Sequence, residues 1–90
     1  MTNIELDSFP VMKAMFRLQW EPAQQAYVLL YPEGMVRLND SAAEILKYCN
    51  GEQSVAQISA ELARQFDADD IHEDVIQFLA HAMERGWVQI

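Results

Sequence analysis

The side chains best suited to chemistry are two histidines, one cysteine and a cluster of acids. His72 and His81 are nine residues apart, so on one straight helix they are about half a turn out of phase and cannot share a metal ion. The acids from Asp67 onward lack the central glycine and closing glutamate of a calcium loop. A weak surface metal contact at His72 is the less favoured alternative.

The remaining reactive side chain is Cys49. It has no histidine or other base at a motif spacing and lies on the apolar stripe of a predicted helix, which favours a buried, unreactive thiol over a nucleophile. We therefore predict no catalytic residue, no metal site and no cofactor, and we expect that the chain is not an enzyme.

The composition limits the kind of domain and its partners. The 90 residues are 51% hydrophobic and 22% charged, which is typical of one folded domain with a modest core and little room for a deep pocket. The net charge of −8 repels nucleic acids and anionic membranes. No apolar run approaches the roughly 20 residues of a membrane span, and the N-terminus lacks signal-peptide features. The single cysteine fits a reducing compartment. Together these features lead us to expect a cytoplasmic protein that binds neither nucleic acid nor membrane.

The acidic excess is concentrated in the C-terminal part of the sequence. Residues 1–38 contain four acids and three bases, whereas residues 39–90 contain ten acids and three bases. Because charged side chains are rarely buried unpaired, most of these acids are predicted to form a solvated face of the helices and to stand at helix starts.

Alternating and β-branched segments predict three strands in the N-terminal half of the sequence. Residues 1–15 show no sustained period and are predicted to form an irregular arm. The first strand covers residues 16–20, where apolar and polar side chains alternate, and the second covers residues 26–31, which are apolar enough to be covered on both faces. A type I turn with Pro32 and Gly34 leads to the third strand at residues 35–38. The three strands should form an antiparallel meander.

Helix signals follow the strands. Residues 39–41 offer three candidate caps, among which Ser41 has the capping-box spacing to Glu44, and residues 50–51 end this first helix. Ser54 has the same spacing to Gln57 at the start of a second helix, which is predicted to end near residue 66. The third helix follows the acids at 67–70 and closes at Gly86, before a short extended tail. The predicted fold class is α+β, a three-stranded antiparallel sheet followed by three helices on one side.

The third strand is the best candidate site that the pattern alone offers. If the second strand is central, the third is an edge whose free N–H and C=O groups could accept an added strand from another chain, beside a wall formed by the third helix. The alternative is that this strand is merely short and blunted by Arg37.

One long ordered series of residues is distinctive only when taken together. Its members are Val28, Leu29, Leu30, Tyr31, Pro32, Glu33, Gly34, Leu38, Asn39, Ala43, Ile45, Leu46, Asn50, Gly51, Ser54, Ile58, Leu62, Val75, Phe78, Leu79, Gly86, Trp87 and Val88. This series resembles the PqqD family, the small proteins of pyrroloquinoline quinone (PQQ) biosynthesis. The resemblance covers nearly everything from residue 17 to the C-terminus, and no single piece of it is specific alone.

The resemblance implies a non-catalytic, winged-helix-like peptide-binding module of the class called RiPP recognition elements. Such a module would capture the precursor peptide PqqA and present it to the radical SAM enzyme PqqE, with residues 16–90 as the recognition domain. In that family the peptide lies as an extra strand against the third strand and beside the third helix. Carried over to this chain, the strand edge would be Met35, Val36, Arg37 and Leu38, and the apolar wall would be Ile76, Leu79 and Met83.

Three other interpretations remain. A winged-helix DNA-binding protein is disfavoured because the second and third helices carry only Arg64 and Arg85 as basic residues. A small accessory subunit of an enzyme is disfavoured by the modest core. A homodimer through the edge strand is a further prediction, because a free edge can also pair with a second copy.

Overall fold

The computed structural model describes residues 4–90 and contains five strands and three helices within them. The elements are β1 (Val11–Met12), β2 (Arg17–Glu21), β3 (Ala26–Tyr31), β4 (Gly34–Arg37), α1 (Asp40–Lys47), α2 (Val55–Gln65), α3 (His72–Glu84) and β5 (Val88–Gln89). Strands β2, β3 and β4 form one antiparallel sheet in that order. The predicted α+β class, with three antiparallel strands followed by three helices, is confirmed.

Strand β3 is the central strand and is covered on both faces, as its composition predicts. Val28 and Leu29 point to opposite faces, yet both are 0% exposed. Leu29 belongs to the main core, and its neighbours across the sheet are Leu18 on β2 and Val36 on β4. We call this face of the sheet, which packs against the helices, the inner face.

Side-chain caps start the first two helices. Asn39 is the cap of α1, where its Oδ1 accepts the Ala42 N–H at 2.8 Å. The Ser41–Glu44 capping-box spacing is not used, because Glu44 instead accepts hydrogen bonds from Lys47 and from Gln65 of α2. These two bonds hold the pKa of the Glu44 carboxyl below its usual value.

Helix α2 begins with the capping box that the sequence predicts. The Ser54 hydroxyl accepts the Gln57 N–H, and the Gln57 side chain accepts the Ser54 N–H. Its C-cap at Phe66 agrees with the predicted end of the helix. The N-cap residue of α3 makes no side-chain capping bond. The carboxylate of Asp70, which precedes the helix, does accept the backbone N–H of His72, the first residue of α3. Gly86, at φ 77°, ends α3 as predicted.

The prediction of an irregular N-terminal arm is wrong at Val11–Met12. These residues form β1, which pairs antiparallel with β5 at the other end of the chain. Ahead of β1, the carbonyls of Ser8 and Leu6 accept the first two N–H groups of α2, those of Val55 and Ala56. The arm therefore supplies backbone acceptors that a helix N-terminus otherwise lacks. Residues 1–3 lie outside the described part of the chain.

The core lies between the inner face of the sheet and the three helices. Its fully buried members include Leu29 from β3, Ile58 and Leu62 from α2, and Val75 and Leu79 from α3. Across residues 4–90, every helix is too short or too polar to traverse a lipid bilayer.

Candidate functional site

Strand β4 is an unpaired edge of the sheet in the described part of the chain. Its other side pairs with β3, and Leu38, just past the end of β4, donates its N–H to the Tyr27 carbonyl at 2.9 Å. Backbone groups alternate in direction along an antiparallel strand. The bonds of Val36 therefore go to β3, whereas the N–H and C=O groups of Met35 and Arg37 point away from the sheet.

A shallow cleft of about 380 Å³ runs between this edge and the C-terminal end of α3. Val36 lines it from the inner face of β4, and Arg85 and Trp87 line it from the opposite side. Its remaining lining residues are Phe16, Tyr31 and Glu33. The rings of Phe16 and Tyr31 lie in tilted contact, with their centroids 5.7 Å apart. An edge with free backbone groups thus borders a cleft with aromatic and charged walls.

A second cleft of about 370 Å³ lies at the other end of α3, between all three helices. It is largely apolar, and Asp74 and Ile71 line it from the start of α3. Four residues make about one helical turn and seven make about two, so Asp74, Phe78 and Arg85 share one flank of the helix. This flank, which we call the cleft flank, carries one lining residue of each cleft, Asp74 and Arg85, with Phe78 between them.

The structure divides the four predicted edge residues into three kinds. Met35 is 49% exposed and Arg37 is also exposed, and these two present free backbone groups at the edge. Val36 is half-buried, with its backbone engaged in the sheet and its side chain in the cleft. Leu38 is buried in the core and its N–H is already bonded, so it offers nothing at the edge.

The predicted apolar wall of Ile76, Leu79 and Met83 does not face this cleft. Leu79 is 0% exposed and belongs to the core, so it has no surface for a ligand. Ile76 and Met83 are partly buried against the core, but at about 100° per residue they lie more than a third of a turn from the cleft flank. Neither lines either of the two clefts.

The cleft residues that sequence reasoning missed on this side are Arg85 and Trp87. Periodicity identifies the buried stripe of α3, which is Val75, Leu79 and Ala82. It does not indicate which of the two flanks beside that stripe faces β4. The available signal is that a basic and an aromatic residue, Arg85 and Trp87, stand on either side of the predicted helix end at Gly86.

The histidines, the cysteine and the acids of the described residues are not gathered into one site. Among residues 4–90, no three His, Cys, Asp or Glu side chains are grouped so that they could hold a metal ion. The ring of His72 pairs with the neighbouring Asp70, and His81 accepts a hydrogen bond from Arg85. Cys49 is buried, which raises the pKa of its thiol to about 12 and suppresses the thiolate that a nucleophile requires.

The fold, the free edge and the cleft beside α3 define a small winged-helix-like recognition domain of the RiPP recognition element class. The whole chain matches, with a TM-score of 0.84, the solution structure of the PqqD truncation of Methylobacterium extorquens PqqCD, which is described as a functional and stand-alone RiPP recognition element. The two chains are 28% identical, and the match covers 99% of this chain and 97% of that one.

The sequence comparison identifies the family. Residues 26–88 match the family model for PqqD, coenzyme PQQ synthesis protein D, and the chain belongs to the PqqD family. A PqqA binding protein of Azotobacter vinelandii is 50% identical over 91 residues, covering 100% of this chain and 99% of its own length. The crystal structure of PqqD from Xanthomonas campestris is 38% identical, with a TM-score of 0.59 over 98% of this chain and 100% of that one.

Proposed function

We propose that this chain binds the precursor peptide PqqA as an added strand on β4 and presents it to the radical SAM enzyme PqqE, without catalysing a reaction itself. The observation that carries the proposal is the unpaired edge of β4, where Met35 and Arg37 direct free N–H and C=O groups away from the sheet, next to the cleft that Val36 and Arg85 line. Strand addition satisfies such groups with main-chain hydrogen bonds, and adjoining clefts select side chains. The names of the curated relatives, which are PqqA binding proteins, point to the same ligand.

The edge is tested by amide hydrogen exchange measured with and without synthetic PqqA. In the free protein the amides of Met35 and Arg37 should exchange rapidly and that of Val36 slowly, because only the Val36 N–H is bonded within the sheet. Saturating PqqA should protect Met35 and Arg37 strongly and change Val36 little.

The opposite edge of the same sheet is the matched control. By the same alternation, Leu18 and Trp20 on β2 direct their N–H groups away from β3. Their exchange should not change when PqqA binds. Protection on β2 with none on β4 would place the peptide at the wrong edge, and protection on neither would contradict strand addition.

The wall is tested by two alanine substitutions on opposite flanks of α3. Phe78 and Met83 are both partly buried against the core, so both variants lose some stability. Only Phe78→Ala removes a side chain from the cleft flank, and we expect it to weaken PqqA binding about tenfold while Met83→Ala changes it less than twofold. The dissociation constants are measured by calorimetry on variants whose circular dichroism confirms folding. Equal losses would contradict this placement of the wall.

Presentation to PqqE and the absence of catalysis need a separate experiment. The chain alone with PqqA should leave the peptide mass unchanged. The chain with PqqE should form a complex that retains PqqA on gel filtration, and Phe78→Ala should release the peptide from it. A change of peptide mass without PqqE would contradict the non-catalytic function.

A further inference from the structure

Arg85 is one of few basic residues in this acidic chain and has no acidic partner in the described part of it. The chain has six Lys and Arg against 14 Asp and Glu. Within residues 4–90 only Lys47 and Arg64 of these six form ion pairs, with Glu44 and Glu61. Arg85 therefore stands without a carboxylate despite a large excess of acids.

The guanidinium of Arg85 is held in place by His81 and Trp87. Its Nε–H donates to Nε2 of His81 at 2.9 Å, and its Cζ lies 5.9 Å from the centroid of the Trp87 ring. The His81 ring meets the Trp87 ring edge-on, with centroids 6.0 Å apart. Trp87 is only 7% exposed and is anchored in the core. The two side chains that position Arg85 are thus His81, on the last turn of α3, and Trp87, which directly follows Gly86.

These contacts leave the terminal nitrogens of Arg85 available. An arginine has five N–H donors, of which the His81 bond uses the one on Nε. The four on the terminal nitrogens have the geometry that binds a carboxylate through two parallel hydrogen bonds. Arg85 is exposed and lines the cleft opposite Val36. A strand added to β4 would place alternate side chains in this cleft.

Glu33 is the only acidic residue that lines the same cleft. It forms no ion pair with Arg85. Glu33 nevertheless competes with a ligand for the Arg85 guanidinium, and its charge repels a ligand carboxylate that enters the cleft. The electrostatics of the cleft are therefore set by one positioned cation and one nearby anion.

We propose that Arg85 is a specificity-determining residue of the peptide site, which binds the carboxylate of an aspartate or glutamate side chain on the strand that adds to β4. His81 and Trp87 are positioning residues for it. This inference rests on the proposed function and deepens it, because it assigns the chemistry of one side chain of the bound peptide. A chain with a net charge of −8 repels carboxylates in general, so a local cation is what would admit an acidic side chain to this cleft.

The test is a double-mutant cycle between Arg85 and the acids of synthetic PqqA, measured by calorimetry at low salt. The protein variants are Arg85→Gln and Arg85→Lys, with Arg64→Gln as the matched control because Arg64 is also an exposed helical arginine. The peptides are native PqqA and versions in which each Asp or Glu in turn becomes Asn or Gln. An amide spectrum of each variant confirms that the Trp87 region is folded.

We expect Arg85→Gln to weaken binding of native PqqA about tenfold, Arg85→Lys about threefold, and Arg64→Gln less than twofold. One peptide substitution should weaken binding to the unmodified protein about tenfold but leave binding to Arg85→Gln unchanged. Glu33→Gln should tighten binding of the native peptide, because a competing carboxylate is removed.

The outcomes separate this inference from the proposed function. If the unmodified protein binds PqqA and Arg85→Gln binds it equally well, the inference is overturned while the proposed function stands. The same holds if no acid of the peptide couples to Arg85. If the unmodified protein does not bind PqqA at all, both are overturned.

Discussion

At the scale of single residues, Cys49 is the reactive group whose behaviour the structure determines most directly. Its thiol is buried just after the C-terminal end of α1, where it donates a hydrogen bond to the Ile45 carbonyl at 3.4 Å. Burial disfavours the thiolate and raises the pKa of Cys49 from an ordinary 9.0 to about 12. We expect iodoacetamide to label the folded protein much more slowly than the denatured protein from about pH 7 to about pH 10, because a thiol with a pKa of about 12 forms far less thiolate in this range. Mass spectrometry of quenched samples measures both rates, and equal rates would show that the thiol is accessible.

The same pKa shift links Cys49 to the stability of the fold in alkaline solution. A group whose pKa is raised on folding contributes stability that is complete below its unfolded pKa and is lost as the pH rises through its folded pKa. The free energy of unfolding should therefore fall between pH 9.0 and about 12. Cys49→Ala should lack this component, although its cavity makes it less stable at neutral pH. Urea titrations of both proteins at several pH values measure the difference, and parallel pH dependences would contradict it.

At the scale of elements, what the sequence predicts depends on how far apart the interacting residues are. The α2 capping box and the type of strand β3 follow from local residue patterns, and both are confirmed. The pairing of β1 with β5 joins two-residue strands at opposite ends of the chain. Such short strands have no measurable period, so the sequence predicts an extended tail after Gly86 but neither strand β1 nor its pairing with β5. The orientation of α3 is undetermined for a related reason, because its buried stripe has two flanks and only packing decides which one faces β4.

The N-terminal arm is an element whose contribution to stability can be measured. Its backbone carbonyls at Leu6, Ser8 and Pro10 accept three hydrogen bonds from the first turn of α2 and from Gly51. With about 1 kcal/mol for each bond, deletion of residues 1–10 should lower the free energy of unfolding by about 3 kcal/mol. Ser8→Ala keeps its carbonyl and should cost less than about 0.5 kcal/mol. Urea unfolding measures both, and an unchanged deletion variant would show that the arm does not support α2.

At the scale of the whole molecule, charge and shape favour a ligand that lies across the sheet edge. The acids of the helices dominate the net charge, whereas residues 1–38 contribute only four acids and three bases. The unpaired arginines Arg17 and Arg37 lie on the outer face of the sheet, and Arg85 lies beside its edge. The positive groups available to a partner are therefore gathered around the sheet, and the rest of the surface repels nucleic acid.

The same edge leads to a prediction about association of the protein with itself. Two copies of β4 that paired antiparallel around Val36 could exchange at most four backbone hydrogen bonds, through the outward groups of Met35 and Arg37. So few exposed bonds, opposed by a net charge of −8 on each copy, should give a weak dimer that appears at high concentration and increases with salt. PqqA would occupy the same groups, so it should dissociate this dimer. Light scattering over a dilution series, with and without the peptide, measures the dimer fraction. A dimer that persists when PqqA saturates the protein would show that association uses a surface other than β4.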